Sequence, residues 1–76
     1  MIQYKREIKY DKTTHDYYVI DFDVEEYLNK LGEEGWILKH YNKEEVLLKR
    51  HYDHKRYEES AYGYKYEFIF YREINF

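Results

Sequence analysis

The run "DVEEYLNKLGEEGWIL", residues 23–38, constrains this chain more than any other, because it spells out where a helix starts, where it stops and where a strand follows. Asp23 is an N-cap candidate, and Glu26 three residues on completes the D-x-x-E form of a capping box. Phe22 before the cap and Tyr27 four residues after it are placed to form a hydrophobic staple. Val24, Leu28 and Leu31 recur at i, i+4 and i+7 and so share one helical face. Glu25 and Glu26 occupy the first turn, where the helix dipole favours carboxylates. Gly35 suits the left-handed residue that ends a helix, with Leu31 and Trp36 as the hydrophobic pair of a Schellman stop. Gly32 lies in the last turn at a cost of about 1 kcal/mol relative to alanine, which a close approach of helix to sheet would explain. Helix start, helix stop and strand entry account for each feature of the run, so it reads as the hinge of a small fold and not as a ligand site.

The remainder alternates. Over residues 2–10, Ile2, Tyr4, Ile8 and Tyr10 alternate with Gln3, Lys5, Glu7 and Lys9, predicting a strand buried on its apolar side, with Arg6 the odd member. Residues 11–16 form a polar loop, and Tyr17–Ile20 is strand-prone and expected to fold back on the first strand. Trp36–Tyr41 and Glu45–Tyr52 read as a hairpin turning through Asn42-Lys43-Glu44, with its buried face undetermined because a one-residue slip inverts it. Residues 53–63 are a charged loop or hairpin end. The last strand, Tyr64–Ile74, sets Tyr64, Tyr66, Phe68, Phe70 and Ile74 on one face and Ile69 and Tyr71 on the other, as in a central strand covered on both sides. The expected fold is therefore α+β: a single domain, residues 1–76, with one α-helix packed on a four- or five-stranded, mainly antiparallel sheet.

A chain of 76 residues buries a marginal core, and without cysteine it has neither disulfides nor thiolate chemistry to reinforce it. Twelve Tyr, four Phe and Trp36 must supply the packing. Small domains of this kind gain stability by pairing with a second copy, so a homodimer is a candidate state. No apolar run approaches the roughly 20 residues of a membrane span, and the first ten residues lack the apolar block of a signal peptide. A soluble, cytoplasmic protein is expected. Charge is uneven: seven acids against Lys30 in residues 13–34, then six Lys and Arg against three acids in 35–56. The plainer reading is two solvated faces of opposite sign.

The pattern L-x-x-L-G-x-E-G-W-x-L, present as Leu28, Leu31, Gly32, Glu34, Gly35, Trp36 and Leu38, is followed by the aromatic strand Phe68-Ile69-Phe70-Tyr71-Arg72-Glu73. Together they resemble a family of small bacterial and phage domains of unknown function. Those domains open with a strand, turn through a short helix ending LGxEGWEL and close with two antiparallel strands. The chain departs at Ile37, where Glu is common, and in its tyrosine-rich residues 52–66. The resemblance implies a fold and brings no activity or functional residues.

Catalytic chemistry finds little support. The only serine, Ser60, has no histidine at a recognisable spacing. Most carboxylates lie on the helix or in turns, where capping and solubility explain them. His51 and His54 with Asp53 form a cluster too small for a metal, and at i and i+3 on a strand the imidazoles diverge. The three glycines make no phosphate loop. No catalytic residue, metal or cofactor is expected. Lys49, Arg50, Lys55 and Arg56, interleaved with Tyr52 and Tyr57, have the composition of a nucleic-acid surface. Against it stands the net charge of −3, and lysines on a sheet edge also guard against strand pairing. A non-enzymatic protein-binding module fits better, since Tyr and Arg dominate interface energetics and this chain has more tyrosine than its core can hold. Tyr52, Arg56, Tyr57, Tyr62, Tyr64 and Tyr71 are the expected anchors. The partner is expected to be a second copy or another protein, such as a host enzyme bound by a phage or mobile-element inhibitor of the anti-CRISPR kind.

Overall fold

The computed structural model describes residues 1–52 and 58–75, with side chains for residues 1–50 and 60–75. Strand β1 (Ile2–Tyr10) leads into a two-stranded ribbon, β2 (Lys12–Thr13) and β3 (Val19–Ile20). Helix α1 (Val24–Glu33) follows, then β4 (Ile37–Tyr52) and β5 (Glu58–Glu73). The main sheet is antiparallel with the order β1-β5-β4, and β2 pairs only with β3. The architecture is α+β, but the sheet has three strands where four or five were expected.

Two sequence expectations account for the difference. Asn42-Lys43-Glu44 is not a turn: these residues stay in register with Glu67, Tyr66 and Lys65, so β4 runs unbroken. None of the three is glycine or proline, and nothing in them demands a positive φ, so pairing with β5 prevails over polarity. The chain absorbs its twist instead at bulges between Leu38 and His40 and between Leu47 and Lys49. Tyr17 and Tyr18 are likewise not strand. Tyr17 holds a left-handed φ of 65°, and the Thr14–Tyr18 segment closes as a tight turn through Tyr18 N–H to Thr14 Oγ1 at 3.1 Å. Val19–Ile20 therefore returns onto Lys12–Thr13 and not onto β1.

β4 and β5 each run for 16 residues, so the hairpin outreaches everything packed on it. The radius of gyration is 17.0 Å, against about 11 Å for a compact domain of this length, and the long axis is 63 Å. Of the two expectations for residues 53–63, a charged loop or a long hairpin end, residues 58–63 follow the second and are strand; residues 53–57 lie outside the described residues.

The helix matches its signals closely. Asp23 Oδ1 accepts from Glu26 N–H at 3.0 Å, and the Phe22 and Tyr27 rings meet edge-on with centroids 5.4 Å apart. At the other end Trp36 N–H donates to Leu31 C=O and Gly35 N–H to Gly32 C=O, both at 3.0 Å, with Gly35 at φ 88°. That is the double bond of a Schellman stop. Gly32 does not mediate a close approach: it is exposed, and a Cβ there would have no neighbour within 4 Å. Its presence has no packing explanation.

The core is the face of β5 that reads Tyr66, Phe68 and Phe70, closed by Leu31 from the helix, with Phe22, Val24, Tyr27, Leu28, Trp36 and Tyr64 packed around it. Phe68 is completely buried and stacks on Phe70 at 5.8 Å. Burial of each such ring stabilises by roughly 1.5–3 kcal/mol. Burial, with Glu7 and Glu34 nearby, pushes the Tyr27 phenol up to about 12, so it stays neutral in ordinary conditions.

β1 sits the opposite way round from the expectation. Register sets Lys5 opposite Phe70, Glu7 opposite Phe68 and Lys9 opposite Tyr66, so the charged side chains share the helix face. Ile2, Tyr4, Ile8 and Tyr10 remain exposed. The lysine stems make this tolerable, since Lys5 Nζ lies 5.3 Å from the Trp36 ring and Lys9 Nζ 5.2 Å from the Tyr27 ring. β1 is an edge strand and takes its parity from its bond to β5, not from its own alternation.

Asp11 fixes that parity. It is buried, and its carboxylate accepts from Phe22 N–H at 2.8 Å, Tyr66 O–H at 2.7 Å and Tyr64 N–H at 2.7 Å. Its own N–H donates to Tyr64 C=O at 3.0 Å, continuing the β1–β5 ladder by one residue. Burial alone would push this carboxyl up; the bonds from Phe22, Tyr66 and Tyr64, helped by Lys43, outweigh it and hold the carboxyl below its usual value. The same bond, after burial, pushes the Tyr66 phenol up. Gly63 is packed against this group: a Cβ would come within 2.9 Å of Asp11 Oδ2 and 2.5 Å of Leu48 Cδ1.

Because the folded carboxyl is depressed, its contribution is full at neutral pH, begins to fall near the unfolded value of about 3.9 and is gone below the folded value. Asp11→Asn presents an amide donor to at least one buried N–H or O–H, and should cost about 2–4 kcal/mol in urea titration. It should also flatten the acid limb of the stability profile below about pH 4. Gly35→Ala should cost about 1 kcal/mol or more in the same titration, because an alanine is strained at φ 88°.

Candidate functional site

Helix α1 covers one face of the three-stranded sheet. At the far end of the other face Lys49, opposite Ala61, meets Thr14 and Tyr17 from the segment between β2 and β3, which leaves an open part alongside β1. Three rows cross it. Tyr4, Tyr71 and Ile37 stand side by side, followed by Arg6, Ile69 and His40, then Ile8, Glu67 and Asn42. Ile2 extends the first row toward the end of the sheet. The apolar members are open: Ile2 is 54%, Tyr4 58% and Ile37 52% exposed. Tyr71 and Ile69 on the central strand are half-buried by their neighbours.

Polar groups bound this patch. Arg6 crosses to Glu67 with Nε at 3.2 Å and its Nη2 also in contact with Glu67 Oε2, and this bond holds the Glu67 carboxyl below its usual range. Lys39, set free of the ladder by the first β4 bulge, reaches over the face to place Nζ 4.8 Å from the Tyr4 ring. The result is an aromatic and aliphatic end beside a paired-charge middle, the composition of an interface core with a polar margin.

The residues expected as anchors do not converge. Tyr71 belongs to the open face, Tyr64 packs half-buried against the core with Lys43 Nζ 4.1 Å from its ring, and Tyr62 is 55% exposed on the projecting hairpin. Tyr52 ends β4, and Arg56 and Tyr57 lie outside the described residues, as does Lys55. Of the nucleic-acid set, Lys49 is engaged within the fold, 4.5 Å from the Tyr17 ring and bonded to Thr14 C=O at 3.5 Å, and Arg50 is exposed on β4. Ile2, Tyr4 and Ile8 were missed as surface groups because alternation alone assigned them to the core, and Ile37 because the buried face of its strand was left undetermined. Arg6, polar in an otherwise apolar row, was the one signal that this row meets water.

Trp36 has a structural role. Its half-buried ring lies between Lys5 and Arg72, whose guanidinium is 4.3 Å from the ring, and Arg72 also donates to Glu34 C=O at 3.1 Å. A shallow cleft of about 320 Å³ lies between the β2–β3 ribbon and the helix start, lined by Tyr10, Ile20, Phe22 and Tyr27 with Asp21, Asp23 and Glu26 among the polar groups. No group of three or more His, Asp or Glu stands at metal-binding distance among the described residues. Among the described residues no helix is long and apolar enough to cross a membrane. Compared with family models, with curated proteins and with solved structures, the chain has no match.

Proposed function

We propose that this chain is a non-enzymatic protein-binding module that receives its partner on the open sheet face. One observation carries the reading: Ile2, Tyr4 and Ile37, each more than half exposed, form a contiguous apolar end with Tyr71 and Ile69. Contiguous patches of this kind mark interaction sites, whereas scattered apolar residues do not. Tyr4 and Tyr71 are suited to anchor a contact, since each offers a broad ring and a hydroxyl at low entropic cost. Lys39, His40 and the Arg6–Glu67 pair would form the polar margin and set orientation.

The partner class we favour is a host protein, bound and inhibited by a phage or mobile-element product in the manner of an anti-CRISPR acting on a defence nuclease in the host cytoplasm. Small size, net acidity and the resemblance in the helix-stop motif support that choice. Tyr62 on the projecting hairpin would then extend the contact, and Tyr52, Arg56 and Tyr57 remain the other expected anchors.

Capture of partners from lysate of the host cell, with and without nuclease, tests the reading. Ile37→Lys should weaken capture about tenfold or more by placing a charge in the apolar end. Its unfolding free energy should change by less than about 1 kcal/mol, because the side chain is exposed. A captured protein lost on nuclease treatment, and indifferent to Ile37→Lys, would transfer the function to nucleic acid and the Lys49–Tyr57 segment.

A further inference from the structure

The outer edge of β1 is a second open surface, and its sequence is self-complementary. β5 is the only strand paired with β1 among the described residues. Two hydrogen bonds show which backbone groups of β1 that pairing uses: Asp11 N–H to Tyr64 C=O at 3.0 Å and Ile74 N–H to Met1 C=O at 2.9 Å. Odd-numbered residues thus bond to β5. Ile2, Tyr4, Arg6, Ile8 and Tyr10 direct their N–H and C=O groups away from the sheet. The strand has neither proline nor bulge to blunt its edge, and of its edge-guarding lysines Lys5 is already paired with an acid of the same strand, Glu7.

We propose that two copies of this chain pair antiparallel along this edge about a twofold axis at Arg6, joining two three-stranded sheets into one of six strands. The register follows from charge. Outward-facing residues must oppose outward-facing residues, so the axis falls on a residue of β1 and not between two. Centred on Lys5 or on Glu7, the axis sets like charges opposite each other, Lys5 against Lys5 or Glu7 against Glu7. Centred on Arg6, it sets Lys5 against Glu7 of the partner copy twice, and Tyr4 against Ile8 of the partner copy twice.

In this register Lys5 and Glu7 form non-hydrogen-bonded pairs, the closer kind, with Cα atoms about 4.5 Å apart. Lys5 Nζ already lies 3.2 Å from its own Glu7 Oε1, so the two copies together make an alternating ring of four charges. The two Arg6 side chains meet on the opposite face, but each is neutralised by its own Glu67. Five hydrogen-bonded residue pairs from Ile2 to Tyr10 give roughly ten main-chain bonds, the source of affinity in strand addition. The pairing uses the edge and leaves the open face free, so it does not rest on the function proposed above.

Sedimentation equilibrium over micromolar to millimolar concentration tests it. The native chain should dimerise, and Lys5→Glu or Glu7→Lys alone should raise the dissociation constant about tenfold, since each turns two attractive cross-strand pairs into repulsive ones. The double variant Lys5→Glu/Glu7→Lys restores opposite charges across the axis and should return the dissociation constant to near the native one. Ile8→Pro removes an outward N–H that β5 does not use, and should give a folded monomer by circular dichroism and thermal melting. A native chain monomeric at millimolar concentration overturns the proposal. So does a dimer indifferent to Lys5→Glu and Ile8→Pro, which would place the contact elsewhere, the sheet face included.

Discussion

The Asp11 carboxylate stands where four parts of the chain meet, and the fold depends on it for more than one hydrogen bond. It joins the end of β1, the residue before the helix cap and two consecutive inward positions of β5. A carboxylate has enough lone pairs to satisfy three donors at once, and here all three donors are themselves buried or half-buried. In a core built from few fully buried side chains, such a polar centre defines register as hydrophobic contact cannot. Aromatic faces tolerate sliding; three convergent donors do not. The helix start is held to the sheet through Phe22, and the ribbon from β2 to β3 is the excursion between the two ends of that tie.

What could be read from sequence were features whose physics is local. The cap at Asp23, the staple of Phe22 and Tyr27 and the stop at Gly35 each involve neighbours within a few residues, and all appear as expected. The inward face of β5 was also legible, because Tyr66, Phe68 and Phe70 leave few alternatives for a core. The orientation of β1 was not. Its alternation is equally regular on both sides, and only the pairing with β5, between residues 55 to 71 positions apart, decides which side is covered. Asp11 read as a loop residue for the same reason: its three donors come from elsewhere in the sequence. The continuity of β4 through Asn42-Lys43-Glu44 is likewise imposed by β5.

For the surface the consequence is an inversion. Residues that alternation assigned to the core, Tyr4 and Ile8 above all, stand on the open face, and the lysines of β1 lie over Trp36 and Tyr27. Cationic stems serving as a lid over aromatic rings allow a small domain to spend its aliphatic side chains elsewhere. The open face and the β1 edge share Tyr4, Arg6 and Ile8, so one strand contributes to both surfaces.

The first and last described turns of the chain also share a corner. Ile74 N–H bonds to Met1 C=O, and Ile2 lies opposite Glu73 at the end of the sheet that carries the Tyr4–Tyr71–Ile37 row. A tag joined to Met1 therefore starts beside the apolar row that the partner is proposed to use.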